Sequence, residues 1–299
     1  LGKNQSHSDR ILPLSLAEFT ANLITGMESF ANISEPQIRL LVFGGTFLCI
    51  LFLERLVPRT KIIGQGRSRW LANVSISVIN TIFIRLLLPF SAVELARLGE
   101  QSSWGLFAWF AAPFWLKVLA SLIVLDLVIY LQHVLFHYQP LLWRLHRVHH
   151  ADTAFDLTTG IRFHPCEIFL SMGIKFATIV LLGIPALAVL IFEILLNAFA
   201  LFSHGNFRLP AQLDFYLRKI IVTSEMHRIH HSSEPLETNS NFGFQLSLWD
   251  RLFGNYRELS RNEAQIGLET FREKKFSALV WMLVIPFLSR KIPSPKGSN

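Results

Sequence analysis

Between Ile168 and Phe202 the chain runs for about 35 mainly apolar residues, broken at Gly183-Ile184-Pro185, and histidine clusters stand on both sides of that run. Two helices of about 15–18 residues that fold back at the break form a membrane hairpin, which returns the chain to the side it left. This constrains the rest of the fold. Whatever precedes Ile168 and whatever follows Phe202 must meet on one face of the bilayer.

What meets there is rich in imidazole. Ten of the eleven histidines fall between His133 and His231, and eight of them form three clusters: His133-x3-His137, His146-x2-His149-His150 and His227-x2-His230-His231. On an α-helix residues at i, i+3 and i+4 share a face, so each triplet can aim three rings at one point. Imidazole nitrogen ligates iron, zinc, copper and nickel, and one tetrahedral ion needs only four donors. Eight therefore point to two metal ions. Scattered surface or core histidines do not account for three clusters at helical spacing. A tag or metal-buffering tract does not account for clusters interleaved with apolar and aromatic residues.

Composition places this in a membrane. Hydrophobic residues make up 51% of the 299, charged residues only 16%, and mean hydropathy is +0.40, more apolar than a soluble domain usually hides. The net charge of +7 lies mostly in short loops beside apolar runs, which suits positive-inside loops and anionic lipid rather than nucleic acid. Cys49 and Cys166 form no CxxC and no disulfide framework. The polar opening from Leu1 to Arg10 lacks the pattern of a signal peptide.

In chain order, residues 1–37 read as an N-terminal interfacial segment with an amphipathic helix over 11–31. Residues 38–130 read as transmembrane helices: spans at 38–56, 70–93 and 104–130, with a basic cytoplasmic loop at 58–69 and a polar loop at 94–103. Arg85, inside the second span, must snorkel or face a polar cavity. The region 131–258 carries the histidines and contains the hairpin 168–203. Residues 259–299 read as a C-terminal interfacial segment, apolar over 276–288, and a basic tail.

Several single residues bear on the site. Asp126, Tyr130, His133 and His137 line one helical stripe, so Asp126 and Tyr130 either orient a ligand or pack. Residues 151–163 read as a polar loop leading to His164, which is either a further ligand or a hydrogen-bonding or substrate-contacting group. Glu193, Asn197 and His204 share a face on the second hairpin arm, and His204 ends that arm beside the clusters, which favours it as a ligand. The expected fold is all-α: a polytopic membrane bundle under a cytoplasmic histidine-rich cap, with the N-terminus outside and the C-terminus inside.

With these residues in view, the sequence resembles the fatty acid hydroxylase and sterol desaturase superfamily of membrane di-iron oxygenases. The resemblance rests on the three histidine boxes together with Asn241-Phe-Gly243 and Trp249-Asp250-x2-Phe253-Gly254, over roughly residues 120 to 258. It implies two iron ions held by all eight clustered histidines and His204, with His164 in a variable motif. Asp250 joins Asp126, Tyr130 and Asn197 as a candidate to orient the ligands. It further implies dioxygen, two electrons from an external reductase or carrier, and hydroxylation or desaturation of a lipid C–H position. The arginines Arg144, Arg147 and Arg228 suit either an acidic electron-transfer protein or lipid head groups. The rival readings are a zinc-dependent membrane lipid hydrolase and a non-enzymatic metal- or haem-binding membrane protein.

Overall fold

The structure, a computed structural model, describes residues 34–61, 66–258 and 265–289. The expected helix over 11–31 and the tail beyond 289 lie outside the described residues. The described residues are helical, with no β-strand and three isolated bridge pairs. Five helical stretches are long and apolar enough to cross a membrane, so the expected all-α membrane bundle holds.

Contacts divide the chain at residue 42. Helix α1 (Glu35–Leu56) straddles that boundary. In the first unit Glu35 pairs with Arg39 one turn on. Of the residues of α1 Ile50 alone is buried, which suits a helix that faces lipid on most sides.

The second unit holds the rest. Helix α2 (Arg67–Leu87) begins inside the expected basic loop. The exposed Arg85 lies in its last turn, where a long side chain can reach the interface. Helix α3 (Ala92–Gln101) replaces the expected polar loop. Ser91 accepts from the Glu94 N–H at 3.1 Å while Glu94 accepts from the Ser91 N–H at 2.7 Å, a reciprocal cap that starts a helix without an apolar run. Its Ala92, Val93 and Ala96 turn inward, so its polar residues mark one face rather than a loop.

After a short helix α4 (Leu106–Trp109), Pro113 precedes α5 (Phe114–Tyr138), and Pro140 opens α6 (Pro140–His150) as its first helical residue. Proline is favoured there because its missing N–H has no helical partner to lose. The hairpin consists of α7 (Pro165–Leu182) and α8 (Ala186–His204). Gly183 ends α7 at φ 66°, a left-handed conformation that glycine adopts without strain. The small residues of α3 pack on both arms, with Ile179, Ala188, Val189 and Phe192, and with Leu125 and Ile129 of α5.

The cap follows in α9 (Ala211–Leu217), α10 (Ser224–His230), α11 (Pro235–Thr238) and α12 (Leu248–Leu252). The described part of the C-terminal segment contains α13 (Leu279–Val284) and a 3-10 turn at Ile285–Phe287. Far from only lying in an interface, it sets Phe276, Met282 and Ile285 into a core with Ala72, Ile76 and Val148, while Val280 and Phe287 stay exposed.

Candidate metal centre

The hairpin brings α8 back to the mouth of α5 and α6, and α10 closes the far side. Nine buried histidines meet there in two groups: His133, His137, His146, His150 and His230, then His149, His204, His227 and His231. Within each group the candidate ligand atoms lie within 4.8 Å of one another. Each of the two triplets divides its side chains between the groups, because successive helical residues point about 100° apart.

Hydrogen bonds on the outer ring nitrogens fix the tautomers. Nδ1 of His133 donates to the Phe242 carbonyl at 2.7 Å, that of His230 to Ser240 at 2.8 Å, that of His204 to Ala200 at 2.7 Å and that of His149 to Arg162 at 3.3 Å. Carbonyl oxygen only accepts, so each of these Nδ1 atoms carries the proton and the Nε2 of the neutral ring presents a bare lone pair. Side-chain oxygens do the same for two more: Glu167 faces His146 Nδ1 at 2.6 Å and Asn239 faces His137 Nδ1 at 3.3 Å.

The Nε2 atoms point at one another, including those of His227 and His231, whose Nδ1 atoms are buried without a hydrogen-bond partner. Nε2 of His133 and His146 are 3.0 Å apart, and Nε2 of His204 lies 3.1 Å from that of His149, 3.0 Å from His227 and 3.2 Å from His231. Nε2 of His137, His150 and His230 is buried with no hydrogen-bond partner. Lone pairs held face to face without a proton repel; a cation between them reverses the sign. Metal–nitrogen bonds of about 2.0–2.1 Å give donor separations of about 3 Å, so the donor set fits a metal ion in each group.

Burial maintains the state that metal binding needs. His149, His150, His227 and His231 are held well below the ordinary histidine range, first by desolvation and then by their neighbouring imidazoles. His230 is pushed down to about 3 by the same burial. All five are therefore neutral near pH 7.

The other expected groups divide. Asp250 accepts from the N–H groups of Phe242 at 2.7 Å and Gly243 at 2.8 Å, so it holds the carbonyl that orients His133. Asp126 instead accepts from Trp249 Nε1 at 2.8 Å, and Tyr130 accepts from Asn255 at 2.8 Å and stacks on Phe253. These two tie α5 to the cap; neither hydrogen-bonds a histidine of the centre. Asn197 is exposed and donates to the Glu193 carbonyl of its own helix, while Glu193 pairs with Lys175 at 2.6 Å. The shared face of α8 therefore does not turn Asn197 toward the histidines. His164 belongs to neither group; it caps α7, its Nδ1 accepting from the Cys166 N–H at 3.2 Å.

The three arginines expected on a basic face are also taken up. Arg147 is buried and donates to the carbonyls of Ile285 and Leu288, Arg144 donates to Pro286, and Arg228 donates to Asn206 while lying over the Phe155 ring. Arg69, placed in a solvated loop by the sequence, is 1% exposed and forked onto Asp152 and Asp156. Residues 151–163 accordingly form a buried strap with a 3-10 turn at Leu157–Ile161. Glu167 is the orienting group that sequence reasoning missed. Its signal was the spacing: it follows His164-Pro165 at the first turn of a helix aimed at the histidines.

Together these features define a multi-pass helical membrane protein with a buried, all-imidazole centre. Residues 118–255 match the family model for fatty acid hydroxylase. The chain is 32% identical over 183 residues to the ornithine lipid hydroxylase of Rhizobium tropici, covering 60% of this chain and 52% of that protein. It is 32% identical over 155 residues to the alkylglycerol monooxygenase of Danio rerio, with 49% and 31% covered, and 25% identical over 158 residues to the lathosterol oxidase of Homo sapiens, with 52% and 50% covered. The chain thus spans about half the length of the first and third of these relatives and under a third of the second. No solved structure matches it. The resemblance to the fatty acid hydroxylase and sterol desaturase superfamily, carried in the sequence by the histidine boxes, holds.

Proposed function

We propose that this chain is a dioxygen-dependent membrane oxygenase that binds two iron ions and hydroxylates or desaturates a C–H position of a lipid. The observation that carries this reading is the convergence of nine buried imidazoles as five and four, six of them with Nε2 bared by a hydrogen bond on the other nitrogen. The relatives named as an ornithine lipid hydroxylase, an alkylglycerol monooxygenase and a lathosterol oxidase support the substrate class.

The iron ions, when bound, would supply the activation of dioxygen with two electrons from an external reductase or acidic carrier. The five-histidine and four-histidine groups are the proposed ligand sets, one for each ion. The protein's own contribution is positioning and exclusion of water. Phe244 lies 6.4 Å from the His133 ring and joins a core with Met172, Phe176 and Leu196 of the hairpin. This apolar wall would guide a lipid chain to the centre, and none of the nine histidines is more than 6% exposed, which suits chemistry that must be kept from water. The exposed Arg208 and Lys219 are available to an acidic carrier on the proposed cytoplasmic face.

Metal analysis of protein purified without chelators tests the reading. We expect about two irons per chain, and oxygen uptake when reductant and membrane lipid are added. One zinc per chain with no oxygen uptake overturns it in favour of a hydrolase. Lipid profiling of cells with and without the protein, for the mass change of one oxygen or two hydrogens, then identifies the reaction.

A further inference from the structure

The two histidine groups are oriented by separate parts of the molecule. In the five-histidine group four Nδ1 atoms donate, to Phe242, Asn239 and Ser240 on the 239–242 loop and to Glu167 on α7. The four-histidine group rests instead on the strap 151–163. Phe163 stacks on His149 at 4.4 Å and 13°, with His146 of the other group further off at 6.3 Å. Phe155 stacks on His204 at 5.5 Å and lies 5.2 Å from His231. The Arg162 carbonyl receives the His149 Nδ1 proton, and Gly160 lies so close to α8 that a Cβ there would stand 3.2 Å from His204 Nδ1.

One side chain anchors that strap from outside it. Arg69, in the first turn of α2, donates Nε and Nη2 to the two oxygens of Asp152 at 2.7 Å each, Nη1 to Asp156 at 2.6 Å, and Nη2 to the Ala154 carbonyl at 2.9 Å and to Thr159 at 3.0 Å. Asp156 in turn caps the 3-10 turn through the Thr158 N–H at 2.9 Å. Arg162 closes the other end, donating to the Val148 carbonyl at 2.9 Å and to the Phe276 carbonyl at 3.1 Å. Two arginines and two aspartates balance in charge, and all four are at most 2% exposed. A planar fork with five donors holds such a loop in one geometry; an ammonium cannot reproduce it.

We infer that Arg69, through Asp152 and Asp156, is a positioning residue for the four-histidine group alone, so that the two proposed metal positions depend on different scaffolds. The inference rests on the proposed metal function. It does not require Arg69 to touch a ligand: the strap carries its effect to His149, His204 and His231. Outer partners of metal-ligating histidines typically change metal affinity by about 10–100-fold, and here that change would fall on one position of two.

The test uses the full chain in detergent micelles, loaded with cobalt(II) or with ⁵⁷Fe(II), comparing wild type with Arg69→Lys and with the milder Thr159→Val. Wild type is expected to hold two ions per chain with two distinguishable spectral components. Arg69→Lys is expected to lose or weaken one ion by about 10–100-fold, with the component of the other ion unchanged, and Glu167→Gln to disturb the opposite component. Equal weakening of both ions in Arg69→Lys, or full retention of both, overturns the inference. If Arg69→Lys does not fold, the same one-sided loss must be seen in Thr159→Val, and an even loss there overturns the inference too. A wild type that holds no metal overturns instead the proposed function on which the inference rests.

Discussion

A carboxylate oxygen of Glu167 stands 2.6 Å from Nδ1 of His146, and both side chains are buried. The pair joins the start of the hairpin to the second histidine box, so the fold of the membrane arm sets the direction of one imidazole. A carboxylate partner raises the basicity of a ligating ring. Glu167→Gln should therefore weaken metal binding in the five-histidine group by about 10–100-fold while leaving the helical content intact. Chelator competition monitored by metal content, alongside circular dichroism, checks both halves of the statement.

Acid should destabilise the metal-free protein. His149, His150, His227, His230 and His231 have folded pKa values depressed by burial, so below about pH 6.5 the unfolded chain binds protons that the folded chain refuses. Stability is thus intact above that pH and is lost as pH falls toward the folded values, about 3 for His230. Thermal melts of chelator-treated protein should drop between about pH 7 and about pH 5 more steeply than one proton explains. Bound metal should delay the drop, because protons and metal compete for the same nitrogens. A melting temperature flat over that range overturns the assignment of these rings as buried and neutral.

The hairpin carries its own ion pair. Lys175 and Glu193 meet at 2.6 Å between the two arms, at 7% and 10% side-chain exposure. Removing one partner leaves a buried charge unpaired, which typically costs about 3–5 kcal/mol, whereas replacing both with apolar residues of similar size is often neutral. Lys175→Met should lower the melting temperature in micelles sharply, and Lys175→Met with Glu193→Leu should recover most of the loss. Two single-variant losses that simply add in the double variant rule out the pairing.

The legible parts of this chain were those with a period or a punctuation mark. The hairpin could be read because Gly183-Ile184-Pro185 interrupts an otherwise continuous apolar run, and the histidines because their spacing matches a helix face. The misread parts were polar side chains whose partners come from far along the chain. Arg69 looks like a loop cation until Asp152 and Asp156, more than eighty residues away, fold onto it. Arg147 looks like a docking cation until the carbonyls of Ile285 and Leu288 arrive. Asn197 shares a helical face with His204, yet residues seven apart are separated by about 10 Å along the axis, so a common face does not put both at one centre. A polar residue does not announce in sequence whether water or a buried partner satisfies it.

Asp250 offers a test that separates hydrogen bonding from charge. Its two oxygens accept the N–H groups of Phe242 and Gly243, and a Cβ on Gly243 would stand 2.8 Å from the carboxylate, so the loop is drawn tightly around it. Burial pushes its pKa up to about 7, against the pull of those same N–H groups. Because the folded value lies above the unfolded one, the folded state holds a proton that the unfolded state releases between about pH 4 and about pH 7. The wild type should therefore lose stability relative to Asp250→Asn as pH rises through that window, the amide having no charge to bury. Asp250→Ala should instead lose about 2–6 kcal/mol below about pH 4, since two buried donors go unmet at about 1–3 kcal/mol each, the deficit narrowing as the wild type loses stability toward about pH 7, and it should weaken metal binding through His133. Parallel melts of the three proteins across the window decide the matter. A constant difference between wild type and Asp250→Asn would mean that Asp250 is ionised throughout and that the loop is held by a full charge.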